Sequence, residues 1–153
     1  MSDLDAIHNY VQLTDRVGTS GQPQADQFGA IADAGFTTVI NLALPSSDHA
    51  IANEGSIVTG LGMRYLQIPV DFANPTLSDV RAFIGTMKAF AQEKTWVHCV
   101  VNARVSAFMY LYLKHVEELE DDQCRSPILK KWQPRMEKVW TDILDLSAEQ
   151  IGA

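Results

Sequence analysis

No segment of this chain approaches the ~18 consecutive apolar residues that a membrane-spanning helix needs. The longest apolar run, Val105 to Leu113, is about half that length and contains Ser106. Cysteine is scarce, with only Cys99 and Cys124 in 153 residues. Two so far apart exclude a disulfide scaffold and a zinc-knuckle spacing, and each reads as a free thiol in a reducing compartment. Positive charge is also short: 12 Lys and Arg stand against 19 Asp and Glu, a net charge of −7. That excludes the basic footprint of a nucleic-acid binder, and a site for an anion must create its own local positive field. Internal repeats and low-complexity linkers are missing. The N-terminal Met1-Ser2-Asp3-Leu4-Asp5 carries acid where a secretory signal needs base. The expectation is a cytoplasmic protein with neither membrane nor nucleic acid as a partner.

What remains is ordinary for a globular chain: 46% hydrophobic and 20% charged residues. The length fits one domain over residues 1–153, with a helical C-terminal extension at about 120–150. Residues 3–10 suggest a short helix, and a short strand follows around Val17. Thr19-Ser20-Gly21-Gln22-Pro23 reads as a turn, with Pro23 opening a helix to about Ala34. Phe28, Ile31 and Ala32 give that helix an apolar face, and Gly35 stops it. The β-branched run Thr37 to Leu42 predicts a buried strand. A polar loop, Pro45 to His49, leads into a helix from about Ala50 to Thr59, and the polar cluster of Asp48, His49 and Glu54 reads as solvated, with a rim to the site as the alternative. Arg64 to Val70 predicts another strand. Thr76 with Asp79 forms a capping box ahead of Val80, Phe83, Ile84 and Met87, an i, i+3, i+4, i+7 stripe. Thr95 to Cys99 is a strand, and a helix apolar on most sides runs from Arg104 toward the breakers Asp121-Asp122 and Pro127. One or two amphipathic helices then carry Trp132, Val139, Trp140, Ile143 and Leu144. The Trp132, Trp140 and Ile143 group reads as packing and leaves a homodimer face open. Strand and helix alternate throughout, which predicts an α/β fold: a mostly parallel central sheet flanked by helices. In such folds ligands bind beyond the carboxyl ends of the strands, where both Cys99 and Asp71 fall.

The segment Val97-His98-Cys99-Val100-Val101-Asn102-Ala103-Arg104 places a cysteine at a strand end and an arginine at the start of a buried helix. Unpaired amides and the dipole at a helix N-terminus bind anions and favour a thiolate, the nucleophilic form of cysteine. A guanidinium adds a planar fork that grips two oxygens of a phosphate-like group. Cys124-Arg125-Ser126 echoes the pattern but lacks a preceding strand and reads as incidental.

This strand–His-Cys–turn–Arg–helix arrangement resembles the signature of protein tyrosine and dual-specificity phosphatases. Ser20-Gly21-Gln22-Pro23, Ala34-Gly35-Phe36 through Leu42, and Ile68-Pro69-Val70 resemble a small bacterial group of tyrosine-phosphatase-like proteins. The resemblance covers roughly residues 17–113 and implies a cysteine-phosphatase-like fold acting on a phosphorylated small molecule or phosphoprotein, without a cofactor or metal. It implies Cys99 as nucleophile, Arg104 as the clamp on the phosphoryl oxygens and Asp71 as general acid. It further implies that residues 100–103 (Val100, Val101, Asn102 and Ala103) line the anion site. His98 would orient the loop and support the thiolate, and Ser106 would hydrogen-bond the sulfur. Two features depart from that family. Four residues separate Cys99 from Arg104, one fewer than usual, and Asn102 stands where glycine is expected. Asparagine tolerates left-handed backbone angles, so the second departure is mild. The shorter loop also resembles rhodanese-type sulfurtransferases, which implies a persulfide at Cys99 as the alternative. A non-catalytic phosphate-binding module is the third reading.

Overall fold

The computed structural model describes residues 2–153, and its centre is a five-stranded sheet. The strands are β1 (Val11–Gln12), β2 (Val17–Ser20), β3 (Thr38–Asn41), β4 (Arg64–Gln67) and β5 (Thr95–His98). Their spatial order is β1-β2-β5-β3-β4, with β1 antiparallel to β2 and every other pairing parallel. The helices are α1 (Phe28–Asp33), α2 (Glu54–Gly60), α3 (Leu77–Ala89), α4 (Ala103–His115), α5 (Pro127–Trp132), α6 (Lys138–Leu144) and α7 (Ala148–Ile151). This is the mostly parallel, helix-flanked sheet that the alternation of elements predicts.

Side chains alternate across the strands, so each strand feeds two cores. Val39 and Trp96 point to one face, where they meet Ile7, Phe28 and Ile31 of α1, and Val58 of α2. Ile40 and Val97 point to the other, where α3 and the helices from α4 onward bury Phe83, Phe108, Leu129 and Trp140. The stripe on α3 is buried as its spacing requires, and Thr76 Oγ1 caps the helix by accepting from the Asp79 amide. Helix α4 is buried along residues 103–113, and β5 is flanked by β2 and β3. The β5–α4 junction therefore lies at the middle of the sheet's carboxyl edge.

Several boundaries differ from expectation. The first helix is a 3-10 turn, Asp3–Ala6, and the two-residue β1 is too short for alternation to reveal it. Pro23 does not open a helix. A 3-10 turn, Ala25–Gln27, precedes α1, because Gln22 is occupied by hydrogen bonds to Val100 and Glu54. Turns over residues 47–53 delay α2 to Glu54. Helix α4 ends at His115, well before Asp121, because the chain reverses through Glu118 at φ 54°. Gly35, at φ 93°, does stop α1 in the left-handed region that a side chain would strain. No helix among the described residues is long and apolar enough to cross a membrane.

Candidate active site

Cys99 follows the last residue of β5, and its side chain is fully buried. The chain then turns through Asn102, at φ 72° and ψ 8°, into α4. Asn102 thus adopts the left-handed conformation that glycine supplies in the related signature. Its side chain does not face the loop opening. Nδ2 donates to Asn9 O at 2.9 Å and to Thr19 Oγ1 at 3.2 Å, fastening the turn to the N-terminal segment and β2.

The carbonyls of this loop all point back into the protein. Cys99 O meets His98 Nδ1 at 3.2 Å, Val100 O accepts from the Gln22 amide at 2.9 Å, and Val101 O accepts from Asn9 Nδ2 at 2.9 Å. Asn102 O accepts from the Ser106 amide at 3.0 Å, and Ala103 O accepts from Ser106 Oγ at 2.7 Å. In a planar trans peptide, C=O and the following N–H point in opposite directions. The amides of residues 100–104 must therefore point away from those partners. Consistent with this, no amide of residues 100–105 donates to any acceptor among the described residues. Successive outward amides at a helix N-terminus form an anion-binding concavity.

The Ser106 hydroxyl is directed to Ala103 O rather than to the sulfur, so it braces the turn. Arg104 lies within the first turn of α4 and is 6% exposed. Its Nη1 donates to Val70 O at 2.8 Å, and no other acceptor among the described residues is bonded to the guanidinium. That single tie anchors the fork beside the loop while leaving its other donors for an anion. Val70 immediately precedes Asp71, so the anchor of Arg104 is also the root of the loop that carries Asp71. Asp71 is exposed, and its Oδ1 accepts from the Ala73 amide at 3.0 Å. Val100 and Val101 also border a cavity of about 580 Å³ that His8, Gln22, Asp48 and His49 help to line.

His98 is completely buried, and its Nε2 lies 2.6 Å from Glu54 Oε2. Its Nδ1 lies 3.2 Å from the Cys99 carbonyl oxygen, so the ring bridges the loop and Glu54. Glu54 Oε1 accepts from Gln22 Nε2 at 2.7 Å. Nearby Tyr65 has its phenol pushed up to about 12, chiefly by burial and further by Glu54, so it remains neutral. Glu54 is 2% exposed and corrects the expectation of a solvated loop. Of that trio, Asp48 and His49 do lie toward the surface. Nothing near Glu54 in sequence distinguishes it, because its partner is 44 residues away. The Ser20-Gly21-Gln22-Pro23 motif also finds its reason here. A Cβ on Gly21 would stand 2.4 Å from Val100 O and 2.7 Å from His8 Cδ2. Gly21→Ala is expected to lower stability by about 1–3 kcal/mol, through the backbone shift that overpacking forces. Urea unfolding measures this, and an unchanged midpoint would mean that β2 does not press on the loop.

No family model matches the chain. A beta-lactamase hydrolase-like protein of Agrobacterium fabrum (strain C58 / ATCC 33970) is 32% identical over 93 residues, 58% of this chain. The chain spans about a fifth of that curated relative, which the match covers to 21%. Among solved structures, a DUF442 protein of Shewanella putrefaciens CN-32, named provisionally as a phosphatase, superposes with a TM-score of 0.83. It is 36% identical, over 93% of this chain and 92% of that one. The core catalytic domain of the PP-IP phosphatase SIW14 from S. cerevisiae shares the fold, with a TM-score of 0.75 at 11% identity over 95% of this chain and 90% of that one. The β5–α4 loop with its outward amides thus sits in the fold these proteins share, and the chain belongs to the DUF442 family of the Shewanella protein.

Proposed function

We propose that this chain hydrolyses a phosphomonoester, phosphotyrosine or a similar ester, through a phosphocysteine intermediate on Cys99. The observation that carries the proposal is the run of unpaired, outward amides at residues 100–104 between Cys99 and the first turn of α4. These amides and the free guanidinium donors of Arg104 can neutralise the charge that develops on the phosphoryl oxygens in the transition state. Cys99 Sγ attacks phosphorus as the bond to the leaving oxygen breaks, and Asp71 in its acid form protonates that oxygen. Water then attacks the phosphocysteine and gives a proton to Asp71. The S–P bond breaks and inorganic phosphate leaves.

Turnover of an aryl phosphate, inhibited by vanadate, is the expected result. Absence of turnover with any phosphoester, from a folded sample, would sink the proposal. Asp71→Asn is expected to slow turnover by about 10²–10⁴-fold, the usual worth of a positioned acid. A smaller loss would remove Asp71 from the mechanism. The four-residue spacing between Cys99 and Arg104 favours sulfur transfer as the second reading. That reading requires thiosulfate to add the mass of one sulfur atom to Cys99, and the phosphatase reading expects an unaltered mass.

A further inference from the structure

Asp71 is held from both sides. The carbonyl before it, Val70 O, accepts from Arg104 Nη1 at 2.8 Å. The carbonyl after its own, Phe72 O, accepts from Trp140 Nε1 at 2.8 Å. Two more bonds stiffen the turn, from the Ala73 amide to Asp71 Oδ1 and from the Asn74 amide to Asp71 O, each at 3.0 Å.

The Phe72 ring is caught in the same place. Its centroid lies 5.6 Å from that of Trp132 and 5.5 Å from that of Trp140, and the Arg104 guanidinium carbon stands 5.9 Å from it. Phe72 is nevertheless 43% exposed, so burial alone does not explain why its loop is fixed. Trp140, in contrast, is 1% exposed, anchored in α6 with Ile143 and Leu144 and packed on Phe108 of α4. The rigid partner is therefore the tryptophan. A buried indole N–H requires an acceptor, and here that acceptor belongs to the loop carrying the acid.

We propose that Trp140 is a positioning residue for Asp71, so that the C-terminal helices set the geometry of proton transfer at the β5–α4 site. The proposal rests on Asp71 being the general acid. An acid displaced by about 1 Å loses much of its effect, and that loss depends on the leaving group. An acidic phenol such as p-nitrophenol departs with little protonation, whereas phenol or an alkyl alcohol needs it.

The test measures kcat and KM with p-nitrophenyl phosphate and with phenyl phosphate, for the unaltered chain, Trp140→Phe and Asp71→Asn. Trp140→Phe keeps an aromatic ring and deletes the N–H donor. It is expected to widen the kcat/KM ratio of the two substrates by about 10-fold, because kcat/KM reports the step in which the leaving group departs, before the shared phosphocysteine is hydrolysed. Asp71→Asn is expected to widen the ratio further. If Asp71→Asn widens it and Trp140→Phe slows both substrates equally, the positioning role is overturned while the acid stands. If Asp71→Asn leaves the ratio unaltered, the acid assignment fails and the inference with it. Urea unfolding of each variant accompanies the kinetics. If Trp140→Phe unfolds, benzothienylalanine at position 140 replaces it in the same comparison, because it keeps the bicyclic shape with sulfur in place of N–H. A widened ratio then supports the positioning role, and an equal slowing of both substrates overturns it.

Discussion

Cys99→Ser lowers kcat/KM toward an aryl phosphate by at least about 10³-fold, the scale on which removing a nucleophile acts. A neutral hydroxyl is a much weaker nucleophile than a thiolate, and the geometry offers a serine hydroxyl at this position no general base to activate it. His98 is turned away, with Nδ1 on the Cys99 carbonyl and Nε2 on Glu54. The substitution is small in volume, so the fold survives, although a hydroxyl in this apolar surrounding costs about 1–3 kcal/mol if unpaired. The loop amides and Arg104 remain, so phosphate still binds. Kinetics and phosphate titration together provide the check. Turnover within about tenfold of the unaltered chain would mean that Cys99 does not form the intermediate. Phosphate binding without turnover by the unaltered chain would instead favour the non-catalytic module.

Asn102→Ala destabilises the protein by about 3 kcal/mol, whereas Asn102→Gly costs about 1 kcal/mol less than the alanine change. Two contributions make up the alanine cost, and only the first separates the two variants. At φ 72° an alanine Cβ meets the strain of the left-handed region, about 1–2 kcal/mol, which glycine avoids. Both substitutions delete the bonds from Nδ2 to Asn9 O and Thr19 Oγ1, about 1 kcal/mol each. Glycine also gives back part of its advantage through a freer unfolded chain. Urea midpoints of the two variants resolve the contributions, and equal midpoints would show that backbone angle is not what asparagine supplies. Activity should follow the same order, with Asn102→Gly retaining more than Asn102→Ala. The reason is that the left-handed turn directs the Ala103 and Arg104 amides outward.

The parts legible in sequence share one physical property: each is set by neighbours within a few residues. The Thr76–Asp79 cap and the Val80–Met87 stripe need only one or two helical turns. The burial of α4 follows from a run apolar on most sides. Cys99 and Arg104 are brought together by the geometry of one loop, so their spacing alone places both at a helix N-terminus. Asn102 is readable for the same reason, since its backbone angle is a local choice. By contrast, β1 has two residues and no period to detect, and the end of α4 depends on a chain reversal. The Trp132 and Trp140 cluster is visible in sequence as packing, but the direction of the Trp140 N–H is not.

Tertiary structure decided what supports the loop. Glu54 reaches His98 across 44 residues, Arg104 reaches Val70 across 34, and Trp140 reaches Phe72 across 68. Such pairs exist because the order β2-β5-β3-β4 brings separate connections to one edge of the sheet. Periodicity and turn chemistry carry no record of that order, because they act over one or two turns of chain. The sequence by itself therefore determined a cysteine and an arginine on one strand-to-helix turn. Only the folded sheet determined that the turn's carbonyls are held from behind, leaving its amides outward.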